Sequence, residues 1–301
     1  MCDAAGAVRY LTLPISGELA GSEVYTLLRR HLGLSGTVLR RVKWLSDGIT
    51  VDGARVNVRF RVAAGQVLSV RLSDPDSASQ PLPRPGPLDL VYEDQDLVVV
   101  NKAPGVLVHP SHGHFDDTVG NFLMARYREN REGAGFHPVH RLDKGTSGLL
   151  VVAKHPYGQE KLKSQLHTGA FRRIYLAVCD GTPYPAQGVI DAPIGRAPGS
   201  LLARRVDPEG QSARTRYRVV CTCGPRSLVE LQLDTGRTHQ IRVHMAHMGC
   251  PLTGDFLYGR EAPALITRPA LHSARLELTH PITRARLEFT APLPEDMKVL
   301  L

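Results

Sequence analysis

Short runs of β-branched and large apolar residues recur along the chain after residue 87: LDLVY, DLVVVNK, GLLVVAK, RIYLAVC, RTRYRVVC, SLVELQLD, RLELTH and RLEFTA. Their length and composition predict strands. Between them TVGNFLMARYREN and PYGQEKLKSQLHTG carry helical spacing. Many strands, few helices and several hairpin-length links predict an α+β domain on a mixed, mainly antiparallel sheet. The first 72 residues read differently. Ser22 can cap a helix through VYTLLRRHL that Gly33 ends, and Ser35 can cap a second through VLRRVKWL. Asp47-Gly48 then turns the chain, and Ile49 to Val56 reads as a hairpin closed at Asp52-Gly53. Between the two regions, SDPDSASQPLPRPGP has almost no apolar content, and Pro81, Pro83, Pro85 and Pro87 block helix and sheet. The predicted division is a small α/β module at 1–72, a stiff linker at 73–87 and a larger unit at 88–301.

Charge sharpens that division. The formal net charge is +8. Ten basic and four acidic residues lie between Arg9 and Arg71, so the N-terminal quarter holds most of the excess. A basic module beside a near-neutral unit suggests docking to a polyanion. Arg29, Arg30, Arg40, Arg41 and Lys43 project from the two predicted helices and are the candidate contacts. No apolar run reaches the roughly 18 residues of a membrane span, and MCDAAGAVRYLTL lacks the basic-then-apolar order of a signal peptide. Five scattered cysteines suggest a reducing compartment, the cytoplasm, rather than a disulfide framework. Cys221-Thr-Cys223 lacks a second ligand pair at zinc spacing and reads as two small apolar side chains on one strand face.

The segment with most chemistry is HRLDKGTSGLLVVAK, His140 to Lys154. A polar, glycine-containing loop runs straight into an apolar strand. Asp143, flanked by Arg141 and Lys144, can stay ionised there as a nucleophile or base; equally, an aspartate at such a position can cap its own turn. Arg141 and Lys144 are candidates for substrate contact, and His140 for orienting the loop against substrate. Further on, Thr238 can cap a helix running to Gly249, whose N-terminus with Arg237 and Arg242 attracts an anion. His239, His244 and His247 might suggest a metal. At about 100° per residue, however, His239 and His244 fall about 140° apart, and no His-Glu-x-x-His pattern is present. No metal and no cofactor are expected.

HRLDKGTSGLLVVAK resembles the signature of the RluA-type pseudouridine synthases. The similarity continues through VVVNKAPGVLVHP, RRIYLAVCDG, GQSARTRYRVV, TGRTHQIRVHMAHMGCPLTGDFLYG and LHSARLELTHPITRARLEFTAPLP. Ala103-Pro104 inverts the more usual Pro-Ala order. The resemblance implies the pseudouridine synthase fold from about Leu88 to Leu301 and isomerisation of uridine in RNA, with Asp143 as the catalytic carboxylate. Tyr175 falls on the family's tyrosine, where an aromatic face can stack on a splayed-out uracil; by its sequence context alone it is a core aromatic. One arginine of the THQIR segment pairs with the aspartate by this analogy. Arg242, after apolar Ile241, can point inward, which leaves Arg237 for phosphate. The N-terminal helix-helix-hairpin order resembles the alpha-L RNA-binding domain, without its usual Arg-Leu-Asp opening. The implied partner is structured RNA, with large-subunit ribosomal RNA favoured and transfer RNA possible, met by a monomer. A non-catalytic RNA-binding protein on the same fold would have lost the aspartate or the arginines. A nucleoside hydrolase would release free uracil.

Overall fold

The computed structural model describes residues 8–73, 80–166 and 168–301. Cys2, the start of the chain and the middle of the proline-rich stretch, 74–79, lie outside the described residues. The N-terminal part forms a four-stranded sheet of β1 (Tyr10–Pro14), β2 (Ile49–Val51), β3 (Ala54–Arg55) and β4 (Val67–Arg71) in the order β1-β4-β2-β3. The expected hairpin is β2–β3, with Asp52 and Gly53 both at positive φ, 50° and 81°, as its tight turn requires. The strands β1 and β4 were not predicted. Ser22 does not cap the first helix: α1 (Val24–Thr26) starts after Glu23 and runs into one π-helical turn at Leu27–His31. Ser35 does cap α2 (Gly36–Val42), accepting the Val38 N–H at 3.1 Å, and this helix stops a turn short of Leu45.

The rest of the chain is built on a ten-stranded sheet. Its members are β5 (Leu90–Glu93), β6 (Leu97–Lys102), β7 (His137–Pro138), β8 (Ser147–Ala153), β9 (Arg172–Asp180) and β10 (Gln187–Asp191). A small ribbon of β11 (Ile194–Arg196) and β12 (Arg204–Val206) follows. The sheet then continues with β13 (Arg214–Cys223), β14 (Arg226–Leu233), β15 (Leu271–Thr279) and β16 (Arg286–Thr290). The main path is β10-β13-β14-β9-β15-β8-β6-β5. All of its pairings are antiparallel except β15–β8. The fold is therefore α+β on a mainly antiparallel sheet, with α3 (Val119–Glu129), α4 (Pro156–Gln165) and α5 (Gln240–His247) where the sequence predicts helices and the short α6 (Glu295–Lys298) beyond them. Cys221 and Cys223 share a face of β13 with sulfurs 3.9 Å apart, but Cys221 is exposed rather than packed. Among the described residues no helix is long and apolar enough to cross a membrane.

Two joints tie the N-terminal part to the large sheet. One is polar: Arg9 gives Asp96 two hydrogen bonds, 2.9 and 3.1 Å, and His155 approaches the same carboxylate at 3.0 Å. The other is apolar: Tyr157 of α4 packs inside the N-terminal core and donates to the Leu32 carbonyl at 2.7 Å. The end of the proline-rich stretch is also docked. The Gln80 side chain accepts the Phe136 N–H at 2.7 Å, and Asn121 donates to the Leu82 carbonyl at 2.8 Å.

Asp96 carries much of the polar joint. Burial opposes its ionisation, but the hydrogen bonds from His155 and Arg9 outweigh burial and hold its pKa at about 2. A depressed carboxylate stabilises the fold above its unfolded-state pKa of about 4, and that contribution is lost as pH falls through the folded value. Asp96→Asn should therefore lower stability by about 2 kcal/mol at neutral pH. In urea titrations across acid pH, the gap between wild type and variant should vanish between about pH 4 and pH 2. A pH-independent gap would mean that shape, not charge, carries the joint.

Candidate active site

The site lies where the large sheet splits. Strands β8 and β15 pair only at Ser147–His272 and Gly148–Ser273 before they diverge toward β7 and β16. Gly148 has φ +102°, and a Cβ there would sit 2.3 Å from the Ser273 carbonyl oxygen. Only glycine permits both the backbone angle and this close approach. The Asp143 loop enters β8 at this point, and its carbonyls are tied one after another. Thr146 N–H donates to Asp143 O at 3.0 Å, and Gly105 N–H to Lys144 O at 2.8 Å. Lys102 Nζ donates to Lys144 O at 3.2 Å and to the carbonyls of Ala103 and Val106, both at 2.8 Å. Arg268, clamped by Asp296 at 2.7 and 2.9 Å, reaches Gly145 O at 3.2 Å. Burial pushes the Lys102 ammonium down to about 7, against the pull of Asp143's charge.

The opposite wall is the start of α5. His239 is its N-cap residue in the left-handed region, φ 57°, and Thr238 does not cap it as expected. The turn is held by Gln240 instead, whose carboxamide oxygen accepts from Arg237 N–H at 2.9 Å and from the Thr235 hydroxyl at 2.8 Å. One turn into the helix, Arg242 points inward. Its Nη1 lies 3.7 Å from Asp143 Oδ2, too far for a direct hydrogen bond. Its Nε and Nη2 are taken by Asp255, both at 2.7 Å. Asp255 is fully buried and also accepts the Leu257 and Tyr258 N–H groups. The rings of Tyr258 and Phe256 flank the guanidinium at 5.0 and 5.7 Å.

A small open cleft lies beside Asp143. Tyr175, Leu142, Leu233 and Ile241 supply its apolar wall, and Arg141 and Arg237 line its rim. Tyr175 is buried, and burial raises its hydroxyl pKa. A cleft with one apolar wall that ends at a carboxylate can hold a planar base and present its ribose to Asp143. Other candidates sit elsewhere. His140 faces away from the cleft: Nε2 receives the Val151 N–H at 3.3 Å, and burial takes its pKa to about 3. Lys144 turns from Asp143 to His114, 3.0 Å away. Arg29, Arg30, Arg40, Arg41 and Lys43 are exposed on the N-terminal part and none lines this cleft. The three histidines between residues 239 and 247 diverge. His239 faces Asp143, His244 is buried between Thr215 and the Ala192 carbonyl, and His247 is exposed. Sequence reasoning missed Asp255, Lys102 and Arg268. Asp255 lay within a quoted family segment, but nothing in its spacing names its partner.

A family model described as RNA pseudouridylate synthase matches residues 96–247. The chain is 40% identical over 271 residues to an uncharacterised RNA pseudouridine synthase, YjbO, of Bacillus subtilis (strain 168), covering 90% of this chain and 95% of that protein. It is 40% identical over 277 residues to ribosomal large subunit pseudouridine synthase D of Yersinia pestis, covering 87% and 85%. Among solved structures, human RNA pseudouridylate synthase domain containing 4 superposes with a TM-score of 0.57 at 26% identity, covering 70% of this chain and 90% of that one.

The two carboxylates around Arg242 should differ sharply in their structural weight. Asp255→Ala leaves a buried guanidinium without its partner and should cost about 3–5 kcal/mol. Asp143→Asn removes a 30%-exposed group with no direct bond to Arg242 and should cost less than about 1 kcal/mol. Chemical denaturation of both variants checks this; equal losses would mean that Asp143, not Asp255, anchors Arg242.

Proposed function

This chain belongs to the RNA pseudouridylate synthase family, and we propose that it isomerises uridines of large-subunit ribosomal RNA through the carboxylate of Asp143. The observation that carries this reading is the placement of Asp143 at the end of the Tyr175 slot, 3.7 Å from an arginine that Asp255 holds in place. In the reaction the bond from ribose C1′ to uracil N1 breaks, a bond from C1′ to C5 forms, the C5 proton leaves and N1 ends protonated. Substrate and product are isomers, so electrons balance without an external oxidant or reductant. Asp143 acts at the ribose, either attacking C1′ or accepting a ribose proton; both roles need an ionised carboxylate. Arg242 presents its charge to the carboxylate while two of its nitrogens stay occupied by Asp255. Tyr175 replaces the stacking that the uracil loses when it leaves the RNA.

RNA reaches this slot by unstacking, and the phosphates on either side need cations. Arg141 and Arg237 lie at the rim for the nearest ones. We assign the more distant contacts to the exposed Arg30, Arg40 and Lys43 of the N-terminal part, which we read as an RNA-docking domain joined at 73–87. The ribosomal choice rests on the name of the Yersinia pestis relative and on this basic module.

Asp143→Asn should abolish pseudouridine formation in transcribed ribosomal RNA fragments while RNA affinity stays within about twofold, because the amide keeps the shape and loses only the charge. Turnover at the wild-type rate would remove Asp143 from the chemistry, and release of free uracil by wild type would mean hydrolysis. A second measurement addresses docking. Arg30→Gln, Arg40→Gln and Lys43→Gln together should flatten the dependence of log affinity on log salt by about one unit per lost phosphate contact, with little change in rate at saturating RNA. An unchanged salt slope would assign this face to something other than RNA.

A further inference from the structure

The group nearest Asp143 after Arg242 is His239, which the proposed chemistry does not use. Its Nε2 lies 3.9 Å from Asp143 Oδ2, the same oxygen that Arg242 approaches. Its Nδ1 lies 2.8 Å from the Tyr258 hydroxyl. That hydroxyl oxygen already accepts the Arg204 N–H at 2.8 Å, so its hydrogen is free to be donated to Nδ1. A neutral imidazole that accepts at Nδ1 carries its hydrogen on Nε2, aimed at the carboxylate. The backbone supports a functional reading. His239 holds a left-handed conformation that a non-glycine residue adopts at a cost, and such strain gathers at functional sites.

We propose that His239, locked by Tyr258, is a positioning residue for Asp143. With Arg242 it directs two donors at Oδ2 and leaves Oδ1 as the oxygen that meets the ribose. The 3.9 Å gap closes when substrate expels water from the cleft. The charged and titratable neighbours are the acids Asp143 and Asp255 and the arginines Arg242 and Arg204, with Tyr258 at Nδ1. Burial, offset in part by Asp143, lowers the imidazole pKa, so the neutral ring prevails near pH 7 and its tautomer matters. With Tyr258 locking the ring, both the neutral and the protonated form donate from Nε2. Without the lock, only the protonated form does so reliably.

This inference rests on Asp143 being the reacting carboxylate, so Asp143→Asn is measured beside it. The assay is single-turnover pseudouridine formation by full-length enzyme at saturating ribosomal RNA fragment, over about pH 5 to 8. His239→Asn suits the left-handed backbone but is too short to reach Asp143; its rate should fall roughly ten- to a hundredfold at unchanged RNA affinity, the scale of one hydrogen bond to a charged group. His239→Gln restores an N–H near the ε position and should recover most of that loss. Tyr258→Phe keeps the ring and frees the tautomer, so its rate relative to wild type should fall as pH rises through the histidine titration. An inactive Asp143→Asn beside a fully active His239→Asn, or a pH-independent ratio for Tyr258→Phe, overturns the positioning role. An active Asp143→Asn overturns the premise itself.

Discussion

Asp255 takes two of the three guanidinium nitrogens of Arg242 and leaves only Nη1 toward Asp143, and the geometry of the cleft follows from that one pair. A bidentate contact at 2.7 Å on both oxygens, fully buried, fixes the guanidinium in a single pose. Asp143 then sees a positive charge at 3.7 Å without being consumed by it. A carboxylate in a closed salt bridge would be stable and unreactive. The arrangement has a structural consequence too. Arg242 can hold this pose only if α5 starts where it does, which makes the Gln240 turn and the 255–258 loop part of one device.

The far side of Asp143 is governed by two buried cations that bind backbone carbonyls, Arg268 doing so while Asp296 holds its guanidinium. Lys102 donates to three backbone oxygens and Arg268 to three more, and together they draw the 103–106 loop, the 143–146 turn and the head of β15 into one knot. A lysine so buried, with no carboxylate in contact, has its ammonium destabilised by desolvation, and the charge on Asp143 is what partly restores it. The negative site and its buried positive support thus stabilise each other across the loop. This coupling explains why a loop of small polar residues can hold a carboxylate steady where the sheet has just lost its hydrogen-bonded partner.

Much of this was legible in the sequence, and what was not shares one cause. The strands from β5 to β16 that alternate or run apolar over five or more residues were readable, because strand formation there is a local property of β-branched runs. The cap at Ser35 and the hairpin at Asp52-Gly53 were readable for the same reason. β1 and β4 are not legible locally: YLTLP ends in proline and pairs with β4 more than 50 residues away, and VLSVR is short and is held between β1 and β2. Lys102, Arg268 and Asp255 are charged residues whose roles lie in their partners, and partner choice is set by tertiary packing. Thr238 failed as a cap because Gln240 satisfied the turn from inside the helix, a competition between two equally plausible side chains that spacing does not decide.

The joint between the N-terminal part and the large sheet bears on how RNA is held. Tyr157 belongs by sequence to α4, which packs on β8, yet its ring is counted in the N-terminal core. The basic surface is therefore referenced to the strand that carries the Asp143 loop, through one helix, and not to the proline-rich stretch. Arg9 and Asp96 add a second, charged anchor to the same edge of the sheet. Phosphate contacts alone are sequence-independent and let RNA slide. Under the proposed function, a phosphate grip whose distance from the slot is fixed by packing would turn that unspecific attraction into a ruler, admitting beside Tyr175 only a uridine at the matching distance from the gripped helix. Under the proposed docking role, the N-terminal part would contribute to the choice of uridine without reading a base, and its rigidity would matter as much as its charge.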